Sequence, residues 1–216
     1  IIFKNPILVA SGTFGYGHET SSLVNVEDLG GIITKSVTLL PREGNPPPRI
    51  CETPSGMLNS IGLANLGVDQ YIESKIPHLN QLNTNVIINI AGSMTEDYLK
   101  TLEKLESAES NHIGYEINIS CPNVKEGGME FGVSPKITEK LTKEIRKSTK
   151  KLLIMKLSPN VTNIVDIANA AEQGGCDAVS AINTVIGMGI DVQTKKSKLY
   201  TNIIINNPEP DQENKS

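Results

Sequence analysis

Short aliphatic runs alternate along this chain with stretches in which apolar residues return every three or four positions. The runs are "PILVAS" (6–11), "GIITKSV" (31–37), "NVIINIAG" (85–92), "YEINIS" (115–120), "LLIMKLS" (152–158) and "DAVSAIN" (177–183). Between them the spacing predicts helices over 68–79, 95–108, 134–148 and 163–175. Thr95 with Asp97, and Ser134 before Pro135, read as helix starts, and Gly174-Gly175 reads as a stop. Strand and helix in repeated alternation predict a parallel sheet built from right-handed crossovers. Lys35, Asn89, Asn118, Lys156 and Asn183 each fall near the C-terminal end of a separate predicted strand. Any one of them could be a polar residue that merely ends a strand. Delivered together at one end of the sheet, they match the active-site layout of a (β/α) barrel. The fold expected is therefore α/β, of the (β/α)8 TIM-barrel type. A doubly wound open sheet is the alternative, but no G-x-G-x-x-G follows the first strand.

Two long loops interrupt the alternation. Residues 39–67 are rich in proline and glycine, and their second half, "MLNSIGLANLG", reads as an ordered wall of a site. The other loop follows the run at 115–120 and reaches Pro135.

Composition narrows the class. Hydrophobic residues make up 38% and aromatics 4%, with no Trp, which suits a soluble domain packed by aliphatic side chains. A formal net charge of -4 gives no reason to expect nucleic acid or an anionic membrane as partner. Cys51, Cys121 and Cys176 lie far apart without a C-x-x-C pair, so neither a disulfide framework nor a zinc site is expected, and a cytoplasmic location is the natural reading. His18, His78 and His112 are isolated in sequence, and no metal site is expected. The opening "IIFKNPILVASG" is interrupted by Lys4 and Pro6, so it reads as an entering strand rather than a signal peptide. Arg42 and Arg49 flank "EGNPPP" and read as supports of that loop. Cys51 and Cys176 read as structural, and "EIRKSTKK" (144–151) as a solvated helix end.

One stretch carries more than packing. "GYEINISCPNVKEGGMEFG" (114–132) begins as an alternating strand and breaks at a cysteine, a proline and two glycines. A thiol at a strand mouth, before flexible residues, is placed as reactive groups are placed. By position alone, Cys121 could still be an inert small hydrophobe.

These segments resemble dihydroorotate dehydrogenase, and within it the FMN-bearing catalytic subunit of the NAD-linked class (class 1B). The resemblance rests on "NPILVASGTFGYG", "ITKSVTLLPREGNPPPRI", "GMLNSIGLANLG", "INIAGS", "INISCPNVKEGG", "MKLSPNV" and "AINTVIGM", in the family's order. It implies oxidation of dihydroorotate to orotate in pyrimidine biosynthesis, with Cys121 as general base and FMN as hydride acceptor. It implies that FMN is held by Ser11, Lys35, Ser36, Asn89, Asn118, Lys156 and Ile182. Substrate contacts by the same pattern are Lys35, Asn59, Ser60, Ile61, Gly62, Leu63, Asn118, Asn183 and Thr184. Electrons would pass to NAD through a partner subunit carrying FAD and an iron–sulfur cluster, in a heterotetramer. Chemistry agrees in outline. Asparagine amides offer a donor and an acceptor each, which suits a pyrimidine edge. A lysine buried in a barrel interior needs an anion, and the expected one is the flavin.

The resemblance also sets an expectation of incompleteness. About six of eight barrel strands can be counted, over residues 1–199, and residues 200–216 read as a polar, disordered tail without glycine. Unpaired edges on the first and last strands are expected, with FMN bound weakly or not at all unless another segment or subunit completes the barrel. An inactive barrel fragment, and a flavin barrel acting on another dihydropyrimidine, remain as alternative readings.

Overall fold

The computed structural model describes residues 1–20, 22–54, 56–120 and 131–199. Six strands form one parallel sheet: β1 (Leu8–Val9), β2 (Gly31–Ile33), β5 (Asn85–Ala91), β6 (Gly114–Asn118), β7 (Leu152–Lys156) and β8 (Ala178–Ser180), in that spatial order. Every adjacent pair runs parallel. Five of the predicted runs contain their strands, and β6 starts one residue before its run, at Gly114. The sheet is the (β/α) barrel type, six strands curled with the helices along one face. Because the order follows the sequence, no strand is skipped and the open alternative has no switch point.

Helices α3 (Thr95–Glu106), α4 (Pro135–Ser148) and α5 (Ile164–Gln173) lie within a residue or two of their predicted bounds. Asp97 caps α3 by accepting the backbone N–H groups of Ser93 and Met94 at 2.9 and 3.0 Å. Asn163 caps α5 through Val165 N–H at 3.1 Å. The helix expected over 68–79 is instead two: α1 (Val68–Ser74) and α2 (Ile76–Leu79). Pro77 has no N–H to carry the first helix onward, so the chain turns at Lys75.

Period two splits the central strands cleanly. Val86, Ile88, Ile90, Tyr115, Ile117, Leu153 and Met155 share one core with Tyr98, Leu102, Leu105, Leu141 and Ile145 of the helices. The opposite face begins with a second, smaller cluster, Ile33, Ile87 and Ile154, with Phe3, Ile113 and Leu152 against it. This inner floor lies at the N-terminal end of the strands, and polar side chains follow above it.

Residues 39–67 fold as a wall, built around the antiparallel pair β3 (Ile50–Thr53) and β4 (Gly56–Asn59). A further hairpin, β9 (Ile190–Asp191) with β10 (Lys196–Ser197), was not anticipated from the sequence. Asp191 builds its turn by accepting the N–H groups of Gln193 and Thr194, both at 2.9 Å. Arg146 corrects the reading of 144–151 as simply solvated. Its guanidinium pairs with Asp177 at 2.9 Å and donates to the carbonyls of Thr149 and Lys151, tying the end of α4 to the strands below. His18 and His78 are likewise not isolated: their rings meet edge to face at 5.2 Å. The expected tail at 200–216 lies outside the described residues.

Candidate functional site

Strand β6 carries Glu116 and Asn118 two residues apart, so both leave the sheet on the inner face. Glu116 is 1% exposed. It accepts Asn89 Nδ2 from β5 at 2.5 Å and the Ser180 hydroxyl from β8 at 2.7 Å, and lies 3.6 Å from Lys156 Nζ on β7. One carboxylate therefore joins side chains from four adjacent strands. This corrects the expectation that buried Lys156 needs an anion from outside the chain. Glu116 supplies it, so the lysine's burial is no independent argument for a bound flavin.

Asn118 stands one step nearer the strand mouth. Its side-chain oxygen accepts Asn183 Nδ2 at 2.9 Å and Ser120 N–H at 3.1 Å, and its carbonyl accepts the Tyr98 hydroxyl at 2.8 Å. Asn183 lies beyond β8, anchored by its own N–H to Leu157 O at 2.9 Å. Its Oδ1 accepts Thr184 N–H at 2.8 Å. Asn160 then grips the same loop with both ends of its amide, donating to Thr184 O and accepting from Ile186 N–H, each at 3.0 Å. Thr184 and Ile182 are exposed on this loop.

Lys35 follows β2 and is half buried. Burial, and then the Arg49 guanidinium, hold its ammonium below the ordinary lysine range. No carboxylate among the described residues pairs with it. Arg49 performs the loop-supporting role expected of it, donating to Asn45 O and Glu43 O. The stretch Asn59–Leu63 is pinned to the same segment: Ser60 N–H donates to Arg49 O at 2.8 Å and Asn45 N–H to Ile61 O at 3.1 Å. Asn45 Nδ2 also donates to Ser60 O at 3.0 Å. Gly62 has φ 74°, and a Cβ there would stand 2.7 Å from Asn45 N, so no other residue fits this crossing without a shift. Ser60 is buried with its hydroxyl lacking a partner among the described residues. Ser36 is buried beside Lys35, and Ser11 is half buried in the turn after β1. Cys121 lies outside the described residues.

The structure thus brings Asn89 and Lys156 together through Glu116, and Asn118 together with Asn183, all on the inner face above the apolar floor. Arg49 ties the Asn59–Leu63 stretch to the loop wall, and its charge also acts on Lys35. Glu116, Ser180 and Asn160 were missed from the sequence. For Glu116 a signal existed, since an acidic residue inside an aliphatic strand, in phase with Asn118, must find partners. Asn160 gave none.

Fold and site together define a (β/α) barrel-type protein with a polar rim at the C-terminal strand ends. The sequence profile of the dihydroorotate dehydrogenase family matches residues 1–203. The catalytic subunit of dihydroorotate dehydrogenase B (NAD(+)) from Bacteroides thetaiotaomicron is 53% identical over 198 residues, covering 92% of this chain and 65% of that relative. The corresponding subunit from Thermoanaerobacter sp. (strain X514) is 49% identical over 201 residues, 93% of this chain and 66% of its own length. The chain belongs to the dihydroorotate dehydrogenase family. It spans about 65% of the length of the curated relatives it matches.

That family implies a flavin cofactor, and the donor set fits one. The pyrimidine edge of a flavin alternates N–H and C=O groups. The inner face offers the ammonium of Lys156 and the Oδ1 of Asn89, which is buried without a partner among the described residues.

Proposed function

We propose that this chain is the flavin- and substrate-binding part of a dihydroorotate dehydrogenase of the NAD-linked class, oxidising (S)-dihydroorotate to orotate. The observation that carries the reading is the inner-face cluster of Asn89, Glu116, Asn118, Lys156 and Asn183 in a chain of this family. FMN, when bound, supplies the two-electron acceptor. Ser11, Lys35, Ser36, Asn89, Asn118, Lys156 and Ile182 are the residues assigned to hold it. Lys35, Asn59 to Leu63, Asn118, Asn183 and Thr184 are assigned to the substrate.

The reaction removes a proton from one ring carbon and a hydride from its neighbour. Cys121 takes the proton; a thiol with an ordinary pKa of about 8.5 is a usable base slightly above neutral pH. The paired amides of Asn118 and Asn183 are coupled by one hydrogen bond, and among the described residues Asn118 Nδ2 has no hydrogen-bond acceptor, so it can donate to a ring carbonyl. Lys35, a cation in a half-buried position without a carboxylate partner among the described residues, suits an anionic substrate. Electrons leave to NAD through a partner subunit with FAD and an iron–sulfur cluster, in a heterotetramer, and the assembly works in the cytoplasm. Among the described residues no helix is long and apolar enough to cross a membrane.

The test is spectroscopic. The full-length protein should purify with flavin absorbance that bleaches when dihydroorotate is added without oxygen. Cys121→Ala should retain the flavin and bleach at least about a hundredfold more slowly. Absorbance unchanged by dihydroorotate in the unmodified protein overturns the substrate, and unchanged bleaching in the variant overturns the base.

A further inference from the structure

Glu116 is a carboxylate placed where water does not reach, and its hydrogen bonds dictate more than its own position. A carboxylate only accepts, so the Asn89 amide must turn its Nδ2 toward Glu116, at 2.5 Å. That choice leaves Oδ1 as the free end of the amide, buried and without a partner among the described residues. Lys156, held 3.6 Å from the same carboxylate, can only donate. The inner face thus carries an acceptor and a donor whose order is set by a residue that need not touch a ligand.

We propose that Glu116 is a positioning residue that fixes this polarity, so that the site selects a ligand edge bearing an N–H donor beside a carbonyl acceptor, as in an imide. The inference rests on the flavin reading above, since the pyrimidine portion of a flavin is such an edge. Glu116 acts through Asn89 and Lys156. As a counter-charge it keeps the lysine in place, and as an acceptor it denies Asn89 the opposite orientation. A neutral amide at position 116 could donate as well as accept, and Asn89 would then be free to turn over.

Two measurements on the full-length protein decide the matter. The first needs no flavin: melting temperatures of the unmodified protein, Glu116→Gln, Lys156→Met and the double variant. Each single change leaves one buried partner uncompensated, so the double variant should melt above Glu116→Gln alone. A double variant that melts below both singles overturns the pairing. The second compares affinity for FMN with affinity for FMN methylated on its imide nitrogen, which removes the donor. The unmodified protein should bind the methylated form at least tenfold more weakly, and Glu116→Gln should narrow that ratio. A Glu116→Gln protein that weakens both ligands equally, leaving the ratio unchanged, reduces Glu116 to a structural role and overturns the proposal. If the unmodified protein takes no flavin, the flavin reading falls and the ligand part of this proposal with it, while the melting comparison still decides the pairing.

Discussion

The two faces of the central strands come from the same residues in alternation, yet they are built on opposite terms. Outward, Val86, Ile88, Ile90, Tyr115, Ile117, Leu153 and Met155 meet the helices in one continuous aliphatic core. Inward, three isoleucines form a floor, and Asn89, Glu116, Asn118 and Lys156 stand above it. The outer face gains from area removed from water, and its members are interchangeable in kind, provided volume is kept. The inner face gains little net energy, because each buried polar group must first repay its desolvation. It persists as a pattern of donors and acceptors. Stability is concentrated on one side of the sheet, and the buried pattern of donors and acceptors lies on the other.

That comparison can be broken by mutation. The largest effect belongs to the outer core: Leu105→Ala, at a fully buried position, should cost roughly 2–5 kcal/mol in chemical denaturation. It should leave ligand affinity unchanged wherever the protein is still folded. A smaller loss that nevertheless abolished ligand binding would mean that the faces are not separable.

Next comes acid. His112 is buried before β6, and burial, followed by the charge of Lys151, pushes its pKa from 6.5 down to about 4. The unfolded chain takes up this proton near pH 6.5 and the folded chain only near pH 4. Its contribution is therefore complete above pH 6.5 and is lost as pH falls through 4, about 3 kcal/mol at most. His112→Asn should flatten the fall in melting temperature between pH 7 and pH 4.5. An equally steep fall in the variant would remove His112 from the account.

Arg146→Met should cost about 1–2 kcal/mol, since the guanidinium serves two carbonyls and one carboxylate but remains partly in solvent. Differential scanning calorimetry reads it directly. The smallest stability effect, about 1 kcal/mol, is expected for Asn118→Ala on the inner face. The same change should weaken substrate or cofactor affinity by tenfold or more, read by titration. If Asn118→Ala destabilised the fold as severely as Leu105→Ala, the division between the faces would fail.

Much of this was legible in the sequence because it depends on local period. Alternation in "NVIINIAG" and "YEINIS" placed both strands, and the chain order of strands and helices limited the topology to a few choices. The cap at Asp97 is local as well, decided within four residues. The helix over 68–79 was misjudged because its apolar spacing continues through Pro77, while the missing N–H is what decides. The β9–β10 hairpin was passed over because strands of two residues leave too short a pattern to see.

The amino-acid order by itself determined which side chains face inward, since a strand's period leaves no freedom once its register is set. Only the tertiary structure decided what those side chains do to one another. Lys156 read from sequence asks for an anion, and the fold answers with Glu116 from the neighbouring strand. The reason is physical: a charge in the interior is defined by its distances to the groups that pair with it. Those distances join residues 27 to 64 positions apart in the chain, from Asn89 to Glu116 and from Glu116 to Ser180.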